Sequence, residues 1–153
     1  MSEHATRSIH RLPPEVVARI AAGEMIARPA AALKELAENA LDAGATQIAI
    51  EVRESLDRFL RISDDACGMT ADELRLAVER YTTSKIRSED DLLSVTSLGF
   101  RGEALASIGE IARLTVLTRT EADEHGWEIK VEAGSAGEPV VAARAQGTTV
   151  TVE

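Results

Sequence analysis

Strand-like runs fill the C-terminal part of the chain, with apolar and polar residues alternating at 149–152, and this constrains the fold more than any other feature. Residues 114–119, 126–132, 139–143 and 148–153 read as strands. Upstream, 47–53 alternates in the same way and 58–63 reads as its neighbour. Helical signals come mostly earlier. A short helix is predicted over 14–22, with proline in its first turn and Gly23 behind it. A second follows Arg28-Pro29 to about Ala43. Thr70-Ala71-Asp72-Glu73 resembles a capping box and starts a third, to about Tyr81. A fourth covers 101–111. Helix-rich first and strand-rich last gives an α+β chain, a two-layer α/β sandwich rather than a regular βαβ series. Residues 82–100 lose periodicity, and a loop of that length in a compact domain is usually functional or mobile.

The second helix is the most informative segment chemically. At about 100° per residue, Glu35, Asn39 and Asp42 fall within roughly 60° of one another. Leu33, Leu36, Ala37, Ala40 and Leu41 take the opposite side, which is expected to pack. No Lys or Arg stands between Glu35 and Gly44, so i,i+4 support by opposite charge is lacking there. A face of oxygen-bearing groups suits a hard cation and a water molecule. The plainer alternative is an acidic amphipathic helix capped by Gly44.

Three further segments offer chemistry, each with a plain alternative. Asp64 ends the second strand and could accept a hydrogen bond from an exocyclic amine, while Gly68 lets backbone approach a flat ligand. An Asp-initiated turn explains the same residues. In Leu98-Gly99-Phe100-Arg101-Gly102-Glu103-Ala104-Leu105 two glycines precede a helix, whose free N–H groups could hold a phosphate. The spacing is neither a Walker A loop nor a dinucleotide fingerprint, and a simple loop-to-helix junction fits equally well. Thr83-Ser84-Lys85 supplies two hydroxyls and a cation to phosphate or to solvent. Gly147-Thr148-Thr149 opens a strand. His4, His10 and His125 have no metal-ligand spacing.

Composition narrows the classes. With 153 residues, 44% hydrophobic and 28% charged, the chain suits one domain. Aromatics at 3% leave the core to Ala, Leu, Ile and Val. A net charge of −9 argues against this segment being a nucleic-acid surface by itself. The single cysteine, Cys67, excludes an internal disulfide and suits a small position in a tight turn. No signal peptide or membrane-length apolar run is visible, so a cytoplasmic protein with no membrane partner is expected. Alternation is still running at Thr149-Val150-Thr151-Val152, which suggests a piece of a longer protein.

In this order the segments resemble the N-terminal ATPase domain of the MutL mismatch-repair family. That family belongs to the GHKL group, with type II topoisomerases, heat-shock chaperone ATPases and sensor histidine kinases. The resemblance runs from about Leu12 to the end. The acidic helix and Asp64–Gly68 mark the wider group; residues 20–29 and 99–105 point to MutL. It implies the Bergerat fold, a mixed, mostly antiparallel sheet with helices on one face. Residues 1–153 would form the nucleotide domain, with 1–12 as an arm and 82–100 as the ATP lid. A second ATPase-associated domain and a dimerisation region would lie outside this chain.

The resemblance also implies roles. Glu35 would be the general base activating water, and Asn39 would hold magnesium. Asp64 would accept from the adenine amino group, with Thr148 supporting it, and Gly68 and Met69 would line the adenine pocket. Thr83, Lys85 and the backbone of Gly99, Phe100, Arg101, Gly102, Glu103 and Ala104 would serve the phosphates. ATP and magnesium would then drive homodimerisation, with DNA and a MutS-type mismatch-recognition protein as partners of the full-length protein. Without the lysine expected from the second domain, the fragment would bind nucleotide poorly and hydrolyse it very slowly. A sensor-kinase-type phosphotransferase and a non-enzymatic interaction module of the same fold are the competing classes. One departure stands out: the usual pattern is Asp-x-Gly-x-Gly, and here Ala66 holds the middle position, where its methyl is harmless only if φ stays negative.

Overall fold

The computed structural model describes residues 11–14, 16, 20, 29–79 and 104–153. Seven strands form one sheet: β1 (Ile48–Val52), β2 (Leu60–Asp64), β3 (Leu114–Arg119), β4 (Gly126–Glu132), β5 (Ser135–Ala136), β6 (Val140–Ala142) and β7 (Gly147–Val152). Their order is β1-β2-β7-β3-β4-β5, with β6 also paired to β4. Every pairing is antiparallel, so among the described residues the sheet is antiparallel rather than mixed. Among the described residues, three continuous helical spans accompany it: α1 (Pro29–Asp42), α2 (Ala71–Ala77) and α3 (Ala104–Ile111).

Register converts the alternation into layers. Leu60, Val152, Leu114 and Val131 lie opposite one another across β2, β7, β3 and β4. Ile62, Val150, Val116 and Ile129 form the next row. These rows pack with Ala32 and Leu36 of α1, Leu74 of α2 and Ile108 of α3 in one core. All three helices therefore share one face of the sheet, because only that face is apolar. The other face carries polar pairs: Arg61 Nη1 lies 3.3 Å from Glu51 Oε2, and the Ser63 and Thr149 hydroxyls are 2.9 Å apart.

The third row departs from this pattern. Ile48, Asp64, Thr148, Thr118 and Trp127 follow one another across β1, β2, β7, β3 and β4. The core face thus turns polar at one end of the sheet.

Local signals explain most boundaries. Pro29 is the first residue of α1, where its missing N–H costs nothing. Thr70 and Glu73 form a reciprocal capping box at the start of α2. That helix ends at Ala77 with Val78 as its C-cap, short of the predicted Tyr81. β5 escaped prediction because two residues carry no periodicity; it follows a two-residue turn in which Ala133 and Gly134 hold φ of 51° and 75°. Positions 14, 16 and 20 are helical, as the predicted 14–22 helix requires. The remainder of that helix, the arm, the 82–100 loop and residues 101–103 of the predicted fourth helix lie outside the described residues.

Candidate functional site

α1 packs on β2 and α3, by a side that keeps Leu33, Leu36 and Ala40 of the expected one but is turned away from Leu41. Ala32, Leu36 and Ala40 are buried, whereas Leu41 is 53% exposed. The packed stripe is rotated about 70° towards Asn39 from the predicted one, at about 100° per residue. Glu35, Asn39 and Asp42 consequently sit half-buried at the margin of the packed side rather than on a solvated face. Glu38, next to them, pairs with Lys34 at 3.5 Å, one turn back on the same helix.

The C-terminal end of α1 is tied to the loop after β2. The Cys67 N–H donates to the Ala43 carbonyl at 3.4 Å. Asp65 Oδ1 accepts from the N–H groups of Thr46 and Gln47 at 2.8 and 2.9 Å, and the Thr46 hydroxyl donates to its Oδ2. These bonds fix the Asp64 end of the sheet beside the end of α1. They also hold the Asp65 carboxyl down at about 2, the Thr46 hydroxyl contributing most. Stability from this clamp is fully present above the ordinary value of 3.8 and is lost as pH falls towards about 2. In urea unfolding across that window, the native protein should lose stability faster than Asp65→Asn. Parallel curves would mean the clamp does not operate.

Asp64 makes the turn that the plainer reading required and also belongs to a wider network. Its Oδ1 accepts from the Ala66 N–H at 3.0 Å and the Thr148 N–H at 3.1 Å, from both sides of the strand end. Oδ2 takes neither bond. Partial burial raises the Asp64 pKa above its ordinary value, opposed by those two N–H groups and by the charge of Arg144. Arg144 Nη2 donates to the Asp64 carbonyl at 2.9 Å and to the Thr149 hydroxyl at 3.0 Å, holding the backbone from the polar side.

Two glycines permit this close assembly. Gly68 has φ of 70°, and a Cβ there would run into the Arg119 carbonyl. Gly147 has φ of 125°, and a Cβ would strike the Asp64 carbonyl. Ala66, by contrast, is absent from the described positive-φ residues and is only 2% exposed. Its methyl is accommodated by the core, so the departure from the usual glycine strains nothing in the backbone.

Asp64, Gly68, Met69 and Thr148 are thus brought together at one end of the sheet. The residue that joins them, Thr118, was missed from the sequence. Its Oγ1 accepts the Met69 N–H at 2.9 Å and lies 2.9 Å from the Thr148 hydroxyl. The available signal was a hydroxyl continuing the inward series Leu114, Val116, Thr118. Arg144 left no comparable signal. Ala104 is the first residue of α3 and half-buried. Thr83, Lys85, Gly99, Phe100, Arg101, Gly102 and Glu103 lie outside the described residues.

No group of three or more His, Cys, Asp or Glu side chains among the described residues could hold a metal. The Asn39 carboxamide is a hard oxygen donor of the kind that can serve a divalent cation. A shallow cleft of about 650 Å³ lies between Pro29, Ala30 and Lys34 of α1 and Ser55-Leu56-Asp57. None of the candidate residues lines it. Among the described residues, no helix is long and apolar enough to cross a membrane.

Comparison with known proteins agrees with this architecture. Residues 27–150 match the family described as histidine kinase-, DNA gyrase B- and HSP90-like ATPase. The DNA mismatch repair protein MutL of Paramagnetospirillum magneticum is 52% identical over 95% of the chain, which spans 24% of that relative's length. Among solved structures, the N-terminal domain of a DNA repair protein superposes with a TM-score of 0.65 at 30% identity, covering 90% of this chain and 38% of that one. The Aquifex aeolicus MutL ATPase domain complexed with ADP superposes at 0.53 with 24% identity, over 95% of this chain and 43% of that one, and speaks for the fold alone. The antiparallel sheet with its helices on one face, and a family match across most of the chain, show that it belongs to the histidine kinase-, DNA gyrase B- and HSP90-like ATPase family, with sequence similarity to MutL mismatch-repair proteins over about a quarter of their length.

Proposed function

We propose that this chain is the ATP-binding and hydrolysing switch of a MutL-type DNA mismatch-repair protein. Asp64 accepts a hydrogen bond from the adenine amino group, with Thr148 beside it and Gly68 and Met69 against the ring. Asn39 would hold magnesium, which would supply neutralisation of the phosphate charge. The Glu35 carboxylate takes a proton from water as the water oxygen bonds to the γ-phosphorus. The bond to the leaving ADP oxygen breaks, and phosphate and ADP are the products.

The observation that carries this reading is the polar end of the sheet standing against the end of α1. From Ala43, tied to that end through Cys67, back to Glu35 is roughly 12 Å along the helix at 1.5 Å per residue. Adenine at Asp64 would therefore leave its phosphates alongside Asn39 and Glu35. Thr83, Lys85 and residues 99–104 complete the phosphate shell in this proposal. ATP binding then drives docking of two protomers through the arm and lid, coupling mismatch recognition by a MutS-type protein on DNA to downstream repair.

Thermal unfolding with magnesium and a non-hydrolysable ATP analogue tests the binding step. At a ligand concentration 100 times Kd, stability should rise by about 2.7 kcal/mol. No shift at any concentration would leave only the non-enzymatic interaction module. Incubation with γ-labelled ATP should leave no stable phosphohistidine; a labelled histidine would favour the phosphotransferase instead.

A further inference from the structure

Thr118 is fully buried, at 0% exposure, yet its hydroxyl faces three polar groups. The Met69 N–H donates to its Oγ1 at 2.9 Å. The Gly147 carbonyl lies 3.2 Å away and can only accept. The Thr148 hydroxyl lies 2.9 Å away and can do either. A threonine hydroxyl has one proton and two lone pairs. All three contacts are hydrogen bonds in one arrangement only: Thr118 donates to Gly147, and Thr148 donates to Thr118. If Thr118 donated to Thr148 instead, its contact with the Gly147 carbonyl would be lost.

The consequence falls on Thr148. Its proton is committed inward, so towards the site its oxygen offers lone pairs alone. Beside it, Asp64 Oδ1 is taken by the Thr148 and Ala66 N–H groups, and an ionised carboxylate likewise only accepts. We propose that Thr118 is a specificity-determining positioning residue. By fixing the Thr148 hydroxyl as an acceptor, it makes this end of the site an all-acceptor edge that selects a purine carrying its amine at C6. Adenine presents N–H donors at that position, whereas guanine and hypoxanthine present a carbonyl oxygen that the edge repels.

This inference rests on the ATP-binding reading above and adds the origin of base selectivity. The test is titration of the protein with ATP and with inosine triphosphate, both with magnesium, for the native sequence, Thr118→Val and Thr118→Ser. Valine keeps the shape but releases the Thr148 proton, so the ATP-to-inosine preference should fall about tenfold, the effect of one misdirected hydrogen bond. Serine keeps the hydroxyl and should restore the native ratio. Equal weakening of both nucleotides by valine would overturn the proposal, since a structural role alone lowers both together. Should valine unfold the protein, NMR of the native protein decides. The Thr148 hydroxyl proton should exchange slowly with solvent; rapid exchange would overturn the assignment. Failure of the native protein to bind either nucleotide would overturn the ATP-binding reading itself, and this inference with it.

Discussion

Glu35→Ala is expected to lower kcat for ATP hydrolysis in the full-length protein by about 10²- to 10⁴-fold, the usual contribution of a positioned general base, while leaving ATP affinity nearly unchanged. Asn39→Ala should weaken binding and hydrolysis together, because on the proposed reading it removes a metal ligand rather than a proton acceptor. The contrast between the variants matters more than either alone. Both residues lie at the half-buried margin of α1, so a general packing defect would affect them alike. Steady-state turnover combined with direct nucleotide titration separates the cases. Normal hydrolysis by Glu35→Ala would remove it from the proton-transfer step.

The second large effect is expected at Gly68. Substitution by alanine forces a Cβ into the Arg119 carbonyl at a φ of 70° that side chains rarely adopt. Left-handed strain and overpacking together should cost about 2–5 kcal/mol, measured by denaturant unfolding. Nucleotide binding should suffer beyond the loss of stability. Moving Gly68 away from Arg119 drags Met69 off Thr118, to which its N–H is bonded, and Thr118 is bonded in turn to Thr148. An alanine variant of native stability and affinity would mean that the loop carries slack.

The comparison of Gly68 with Ala66 shows how far sequence reading reaches. A missing glycine at 66 looked like a defect in the nucleotide loop. In the structure Ala66 lies outside the positive-φ set and its methyl is buried. Gly68, two residues on, carries the strained conformation and the close backbone approach. Sequence spacing marks both positions as special, but only the dihedral angles tell which one cannot bear a side chain.

The acidic helix gives a similar lesson. Its extent was legible from Pro29 and from the turn after Asp42, and so was the clustering of Glu35, Asn39 and Asp42. Its orientation was legible only in part. The expected stripe included Leu36 and Ala40, which are buried, and Leu41, which is not; the observed packing buries Ala32 in its place. Small side chains permit close approach to the sheet, and that preference depends on what the partner surface offers.

The sequence alone determined six of the seven described strands, the starts of α1 and α2, the α+β class and four residues at one end of the sheet (Asp64, Gly68, Met69 and Thr148), because period, capping and turn chemistry act over a few neighbouring positions. Tertiary structure decided which face of α1 packs, that Thr118 joins Met69 to Thr148, and that Arg144 holds Asp64 across 80 residues of chain. Such contacts depend on register between strands distant in sequence, and a local pattern carries no information about what will lie opposite.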